Sequence, residues 1–142
     1  MTSSAGVATQ SANRWVGYVL GAVYLLVGAV GFAITIGVGF AAAEGRQLII
    51  FELNPLHNIV HLLVGALLLG AALRGTTSAK AVNTLVGGVY LLVGVAGLFV
   101  IGSALNLLAL NSWDNVLHLA SAVLLVGVGV AADRSVRTRA QV

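Results

Sequence analysis

The chain of 142 residues contains no cysteine and a single proline, and only 8% of its residues are charged. Without cysteine it can form no disulfide, no thiolate metal site and no thiol nucleophile. Its seven basic residues do not cluster with interleaved aromatic side chains, so the net charge of +3 does not indicate a nucleic-acid partner. Walker, Rossmann, HExxH and G-x-S-x-G patterns are missing as well, and we therefore predict a protein that is not an enzyme.

Apolar residues dominate what remains. The hydrophobic fraction is 59% and the mean hydropathy is +1.04, values typical of integral membrane proteins. The length allows four spans of about 20 residues each, with short connections. We predict an all-α integral membrane protein, a four-transmembrane-helix bundle whose partner is the lipid bilayer of a bacterial plasma membrane. The predicted spans are approximately Trp15–Gly39, Pro55–Leu73, Ala81–Gly102 and Trp113–Ala132.

The few charges are distributed unequally between the two ends of these spans. Six basic residues fall on the side of the termini and the middle loop, whereas the other side has Arg46 with Glu44, Glu52 and Asp114. Because basic residues mark the cytoplasmic face, we predict that both termini are cytoplasmic. The six basic residues are Arg14, Arg74, Lys80, Arg134, Arg137 and Arg139.

An internal repeat organises the chain. Gly21–Gly28 returns as Gly87–Gly94, and Asn54–Leu62 returns as Asn111–Leu119 with Asn, Asn and His at matching positions. The repeating unit is a helical hairpin, so the bundle should consist of two parallel hairpin repeats related by an axis along the membrane normal. The predicted parts are a disordered tail 1–12, a first repeat 13–73 with a long outer loop at about 40–53, a cytoplasmic loop 74–80, a second repeat 81–132 and a basic tail 133–142.

Small residues recur at helical spacing on the first and third spans, as Gly17, Gly21, Gly28 and Gly31 and again as Gly87, Gly94 and Gly97. Small residues let transmembrane helices approach closely, so we interpret these faces as packing surfaces. A flat groove for a planar ligand is the alternative.

Polar residues form a stripe on the second and fourth spans. Asn54, His57, Asn58 and His61 are spaced i, i+3, i+4 and i+7, which places them on one helix face. His61 lies roughly 10 Å below the start of its helix, inside the hydrocarbon region. Ionisable groups at that depth are costly and usually functional. The matching stripe on the fourth span comprises Asn111, Asp114, Asn115 and His118.

The outer ends of both stripes have the pattern of helix caps. Asn54 before Pro55 is typical of an N-cap followed by proline in the first turn. Asn111 with Asp114 predicts a cap with an acid in the first turn, where the helix dipole favours it. The deeper residues need another explanation, since a buried imidazole requires partners for both ring nitrogens.

Two tyrosines supply one explanation for the deeper histidines. Tyr24 should reach the depth of His61, and Tyr90 that of His118. We expect each imidazole to be hydrogen-bonded by Tyr and Asn neighbours, giving two equivalent polar clamps inside the bundle. The function that follows is an accessory or self-associating component, as a homo-oligomer or in a larger membrane complex. The sequence leaves open whether it holds a cofactor.

Ligand binding and transport are the alternatives. His57 and His61 are spaced so that both can bind one divalent ion, which Asp114 and His118 could complete from the fourth helix. His61 and His118 could instead be the axial ligands of a b-type haem. A proton-coupled transporter or channel would also use such groups, but the segment Leu62–Leu73 contains no polar side chain to continue a pathway.

The segment Asn54-Pro-Leu-His-Asn-Ile-Val-His61, the paired Tyr-Leu-Leu-Val-Gly segments and Asn115-Val-Leu-His118 resemble an uncharacterised family of small four-helix bacterial membrane proteins, mainly actinobacterial. The resemblance covers residues 14–132 and carries an Asn-Pro-x-His-Asn-x-x-His motif. It implies a four-span fold with a domain of unknown function, and no substrate, cofactor or catalytic residue. The motif positions carried over are Asn54, His57, Asn58, His61, Asn115 and His118.

Overall fold

The computed structural model describes residues 11–133 as four long helices and one short β-hairpin. Each helix is long and apolar enough to cross a membrane, so the prediction of an all-α four-span protein is confirmed. The predicted disordered tail and basic tail fall almost entirely on residues 1–10 and 134–142, outside the described residues. The elements are α1 (Ala12–Ile34), β1 (Arg46–Leu48), β2 (Phe51–Leu53), α2 (Pro55–Arg74), α3 (Thr76–Val100) and α4 (Ser112–Ala131).

Glycine lets the helices pack as two close pairs, α1 with α2 and α3 with α4. A Cβ atom on Gly21 would lie 2.8 Å from the backbone nitrogen of Leu69 in α2. A Cβ atom on Gly87 would lie 2.8 Å from the backbone nitrogen of Val126 in α4. Both distances are shorter than those between non-bonded Cβ and backbone atoms in proteins, so only glycine fits at these positions. This supports the interpretation of the glycine faces as packing surfaces.

The core between the two pairs combines aromatic and aliphatic side chains, whereas large apolar side chains on the outer faces are exposed. Leu26, Leu63, Leu92 and Val123 are exposed, one on each of the four helices. An apolar exterior on every helix suits a lipid environment and would be unfavourable in water. The buried core cluster comprises Tyr24, Val64, Leu68, Val86, Tyr90, Ala122 and Leu125.

Two helix boundaries differ from the prediction by five residues, the end of α1 and the start of α3. Helix α1 ends at Ile34 rather than Gly39, where the Thr35 hydroxyl and backbone N–H both donate to the Gly31 carbonyl. Helices α2 and α3 are separated by Gly75 alone, at a φ of 132°, so most of the predicted cytoplasmic loop 74–80 is helical. A side chain at that φ would be strained, which is why glycine suits the connection.

The long outer loop contains the β-hairpin, which the sequence did not predict. Strands β1 and β2 pair antiparallel, with Arg46 opposite Leu53 and Leu48 opposite Phe51. Ile49 in the turn has a φ of 64°, a left-handed conformation that is uncommon for a β-branched residue. The hairpin covers the end of the bundle at which α1 ends and α2 begins, and we refer to this as the hairpin end.

Polar contacts join the two ends of the described chain at the opposite end of the bundle. The Asp133 carboxylate accepts hydrogen bonds from the Ser11 hydroxyl at 2.7 Å and from the Asn13 backbone N–H at 3.0 Å. The Asn13 side chain in turn accepts from the Asn83 amide of α3, also at 3.0 Å. A carboxylate at the first turn of α1 is favoured by the helix dipole, so Asp133 caps this helix from the far end of the chain.

Candidate functional site

Helix caps at the hairpin end fix the start of both polar stripes. The Asn54 side chain accepts from the His57 backbone N–H at 2.8 Å and donates to the carbonyl oxygens of Ala42 and Leu107. At the start of α4, Asn111 and Asp114 form a reciprocal capping box. Both capping predictions are confirmed, and the caps set the first turns of α2 and α4, where the histidines follow.

Three histidine rings meet just below these caps. The ring centroids of His57 and His61 are 4.3 Å apart, and those of His57 and His118 are 5.7 Å apart. One ring nitrogen from each residue lies within 4.8 Å of the others. All three side chains are at least 96% buried. The structure therefore brings all of the chain's histidines together into one group, which we call the His cluster.

The nitrogens of the His cluster are largely without partners. Both ring nitrogens of His57, both of His61 and Nδ1 of His118 make no hydrogen bond of acceptable geometry with any described residue. The backbone carbonyls of Glu52 and Leu108 lie near the His57 ring, where they can accept from its single N–H. Buried imidazole nitrogens without partners are unfavourable, so the cluster has an unused capacity to bind.

The tyrosines contact the His cluster through their rings. Tyr24 stacks on His61 with centroids 5.4 Å apart, and Tyr90 meets His118 edge-on at 5.0 Å. The predicted Tyr–His pairs therefore exist, but the expected hydrogen bond from Tyr24 to His61 does not, because the Tyr24 hydroxyl donates to Ser121 at 2.8 Å. The expected polar clamps therefore do not supply hydrogen-bond partners for the His61 ring nitrogens.

The two deep asparagines lie against glycines rather than against the imidazoles. The Asn58 amide donates to the Thr35 hydroxyl at 3.0 Å and packs on Gly31. Asn115 packs in the same way on Gly97. Its amide has no hydrogen-bond partner among the described residues. These contacts hold α1 on α2 and α3 on α4 beside the His cluster.

Asp114 does not belong to the group of possible ligands. Its Oδ2 atom accepts from the backbone N–H groups of Asn111 at 2.9 Å and Glu52 at 3.0 Å, so it serves the cap and the hairpin. The predicted four-residue metal site therefore reduces to three histidines.

The geometry also disfavours a haem. The rings of His61 and His118 are 6.5 Å apart, but His57 lies 4.3 Å and 5.7 Å from them. The macrocycle would have to pass between the two axial ligands, where the third ring stands.

Sequence reasoning gave no role to several buried polar residues. Ser121 lies one turn below His118 on the same face of α4, and that spacing could have identified it as the partner of Tyr24. Asn13, Asn83 and Asn106 are buried as well. Asn106 closes the loop before α4 by bonding both backbone groups of Leu110, a contact that no spacing rule would reveal.

Comparison with known proteins identifies one family. The family model described as domain of unknown function (DUF4383) matches residues 14–131, which include the whole His cluster. No curated protein and no solved structure gives a match. The match supports a small multi-pass membrane protein of unknown activity and indicates no enzyme family.

Proposed function

We propose that this chain, which belongs to the DUF4383 family, binds a first-row transition-metal ion such as zinc or copper at the His cluster. The observation that carries the proposal is the convergence of three buried imidazoles, with ligand atoms within 4.8 Å of one another. Among the described residues, five of their six ring nitrogens make no hydrogen bond of acceptable geometry. Three histidines from two helices form a usual ligand set for such ions.

The surroundings of the His cluster support this role. The backbones of Glu52 and Leu108, which face His57, can orient that ring as the second layer of a metal site does. Tyr24 and Tyr90 hold the other two rings from the side by packing. Three protein ligands leave a fourth position for water or another small group.

We further propose that the ion is bound rather than used in catalysis, and that the protein lies in a bacterial plasma membrane with cytoplasmic termini. The excess of Lys and Arg at the terminal end of the bundle supports that orientation. The His cluster would then lie in the outer half of the membrane, beneath the hairpin. A role as an accessory protein, alone or with further copies, is consistent with such a site.

Metal titration of detergent-purified protein, first stripped with a chelator, tests the proposal. Cobalt(II) should bind stoichiometrically with visible absorption bands typical of a tetrahedral site, and zinc should displace it. His61→Gln and His118→Gln should each weaken binding by more than about a hundredfold, since loss of even a supporting outer group costs 10–100-fold.

Asp114→Asn is the matched control, because Asp114 lies on α4 one turn before His118 without belonging to the cluster. This variant should retain the cobalt spectrum. Circular dichroism should show that every variant keeps its helices. Failure of folded wild-type protein to bind cobalt, zinc or copper would refute the proposal, as would binding that neither histidine variant weakens.

A further inference from the structure

A separate cavity of about 230 Å³ lies between α1 and α4 at the hairpin end. Its walls are apolar and come from both helices and from the hairpin. These two helices contact each other much less than α1 contacts α2, which leaves the gap. The wall residues include Leu20, Val23, Val27, Leu48, Phe51 and Leu117.

The lining of the cavity is mostly apolar but includes a few polar residues. His61, Asp114 and Ser121 all line it, together with the ring of Tyr24. His61 is 97% buried, and neither of its ring nitrogens has a hydrogen-bond partner among the described residues. An unpartnered imidazole in the lining of an apolar cavity is a site where a ligand's polar group would replace a missing hydrogen bond.

Two of the lining residues lie at the outer surface of the bundle, and we take the mouth of the cavity to be there. Val23 on α1 is 46% exposed, and Ile49 in the hairpin turn is 84% exposed. Ile49 combines this exposure with its left-handed backbone, a conformation that proteins keep where the surroundings require it. A ligand dissolved in the bilayer could therefore enter between α1 and α4 without crossing an aqueous surface.

We infer that this cavity binds a neutral, lipid-soluble molecule whose ring-shaped head carries a carbonyl or hydroxyl group, as isoprenoid quinones do. The volume exceeds the roughly 150 Å³ that holds benzene, so a head of one or two rings fits. Among the lining residues that the structure describes, Asp114 alone carries a carboxyl group, which disfavours an anionic head such as a fatty acid. A neutral acceptor would instead take a hydrogen bond from His61.

This inference goes beyond the metal site, with which it shares His61, and it rests on the cavity rather than on a bound ion. The test therefore uses metal-stripped protein, so that failure of one proposal does not decide the other. The protein is placed in phosphatidylcholine nanodiscs and labelled with a short-chain naphthoquinone that carries a photoreactive diazirine. Mass spectrometry then locates the labelled residues.

Labels should concentrate on residues 20–27 and 117–121. Val23→Trp should fill the mouth and reduce this labelling at least fivefold. The repeat supplies a matched control, Val89→Trp, since Val89 occupies the corresponding place on α3 and is also 46% exposed. That variant should label like the wild type.

His61→Phe tests the polar contact separately, because phenylalanine keeps the stacking on Tyr24 and removes both nitrogens. The concentration of unlabelled naphthoquinone that halves the labelling should rise about tenfold, because that factor in affinity corresponds to the loss of one buried hydrogen bond. An even spread of labels over all lipid-facing surfaces would overturn the inference. So would an equal loss of labelling in Val23→Trp and Val89→Trp, or stronger competition for labelling by oleate than by the quinone.

Discussion

At the scale of single residues, two glycines determine whether the buried asparagines fit. Gly31 faces Asn58 and Gly97 faces Asn115 at equivalent places in the two halves of the chain. A Cβ atom on either glycine would overlap the facing amide group. Both asparagines are buried and fixed between helices, so the amide cannot move aside without a cost.

Gly31→Ala and Gly97→Ala should therefore each lower the free energy of unfolding by about 1–3 kcal/mol, as overpacking of a filled core does. Gly70→Ala and Gly88→Ala are matched controls, because a Cβ atom at these helical positions meets nothing within 4 Å. Denaturation in mixed micelles, followed by circular dichroism, measures the four values. Equal effects at all four positions would show that the asparagine contacts do not limit the packing.

The sequence predicted the residues of the His cluster better than their contacts. The repeat and the i, i+4 spacing were enough to place His61 and His118 at similar depth, each with its tyrosine. They could not show that His57 reaches across to His118, since that depends on how the α1–α2 pair is placed against the α3–α4 pair. Nor could they show that the Glu52 backbone N–H donates a hydrogen bond to the Asp114 carboxylate, because the hairpin that carries Glu52 was not predicted.

At the scale of elements, polar capping residues predicted helix starts better than hydropathy predicted helix ends. Helix α2 begins at Pro55 as predicted, because Asn54 provides the cap. The apolar run continues past Ile34 to Gly39, yet α1 stops where Thr35 caps it. Strands of three residues are too short for an alternating pattern to be recognised.

The hairpin turn offers a test at this scale. Ile49→Gly should stabilise the hairpin by up to about 1 kcal/mol, because the left-handed conformation costs a non-glycine residue 1–2 kcal/mol and glycine recovers only part of that. Hydrogen exchange of the strand amides that donate across the hairpin should slow accordingly. Ile50→Gly is the control, since Ile50 has no positive φ. Glycine at that position relieves no strain and only increases the conformational entropy lost on folding. Slower exchange in the control alone would contradict the explanation.

At the scale of the whole molecule, Asp133 connects the last helix to the first. The hydrogen bond from Ser11, with further bonds from Asn13 and Ala12, lowers the pKa of Asp133 from 3.8 to about 2. A carboxylate with a lowered pKa stabilises the folded state above its ordinary pKa. This contribution should therefore be complete above pH 4 and disappear as the pH falls through 2.

Asp133→Asn should remove that dependence. At pH 5 the variant should melt a few degrees below the wild type, and at pH 2 the two melting temperatures should converge. The contribution is small because Asp133 is exposed to solvent. Glu44→Gln, which removes an exposed carboxylate at the hairpin end, controls for the change in net charge. A constant difference between Asp133→Asn and the wild type from pH 5 to pH 2 would exclude the carboxylate as the cause.

The contact between Ser11 and Asp133 also changes how the order of the helices can be understood. Covalent connections join α1 to α2, α2 to α3 through Gly75, and α3 to α4, while hydrogen bonds at Asp133 join α4 back to α1. The backbone thus traces a nearly closed circuit of four helices. A short peptide between positions 133 and 11, with new ends opened at Gly75, would exchange the two halves in a circular permutation. Because the halves repeat one pattern, the permuted chain would again read as one helical hairpin followed by its counterpart.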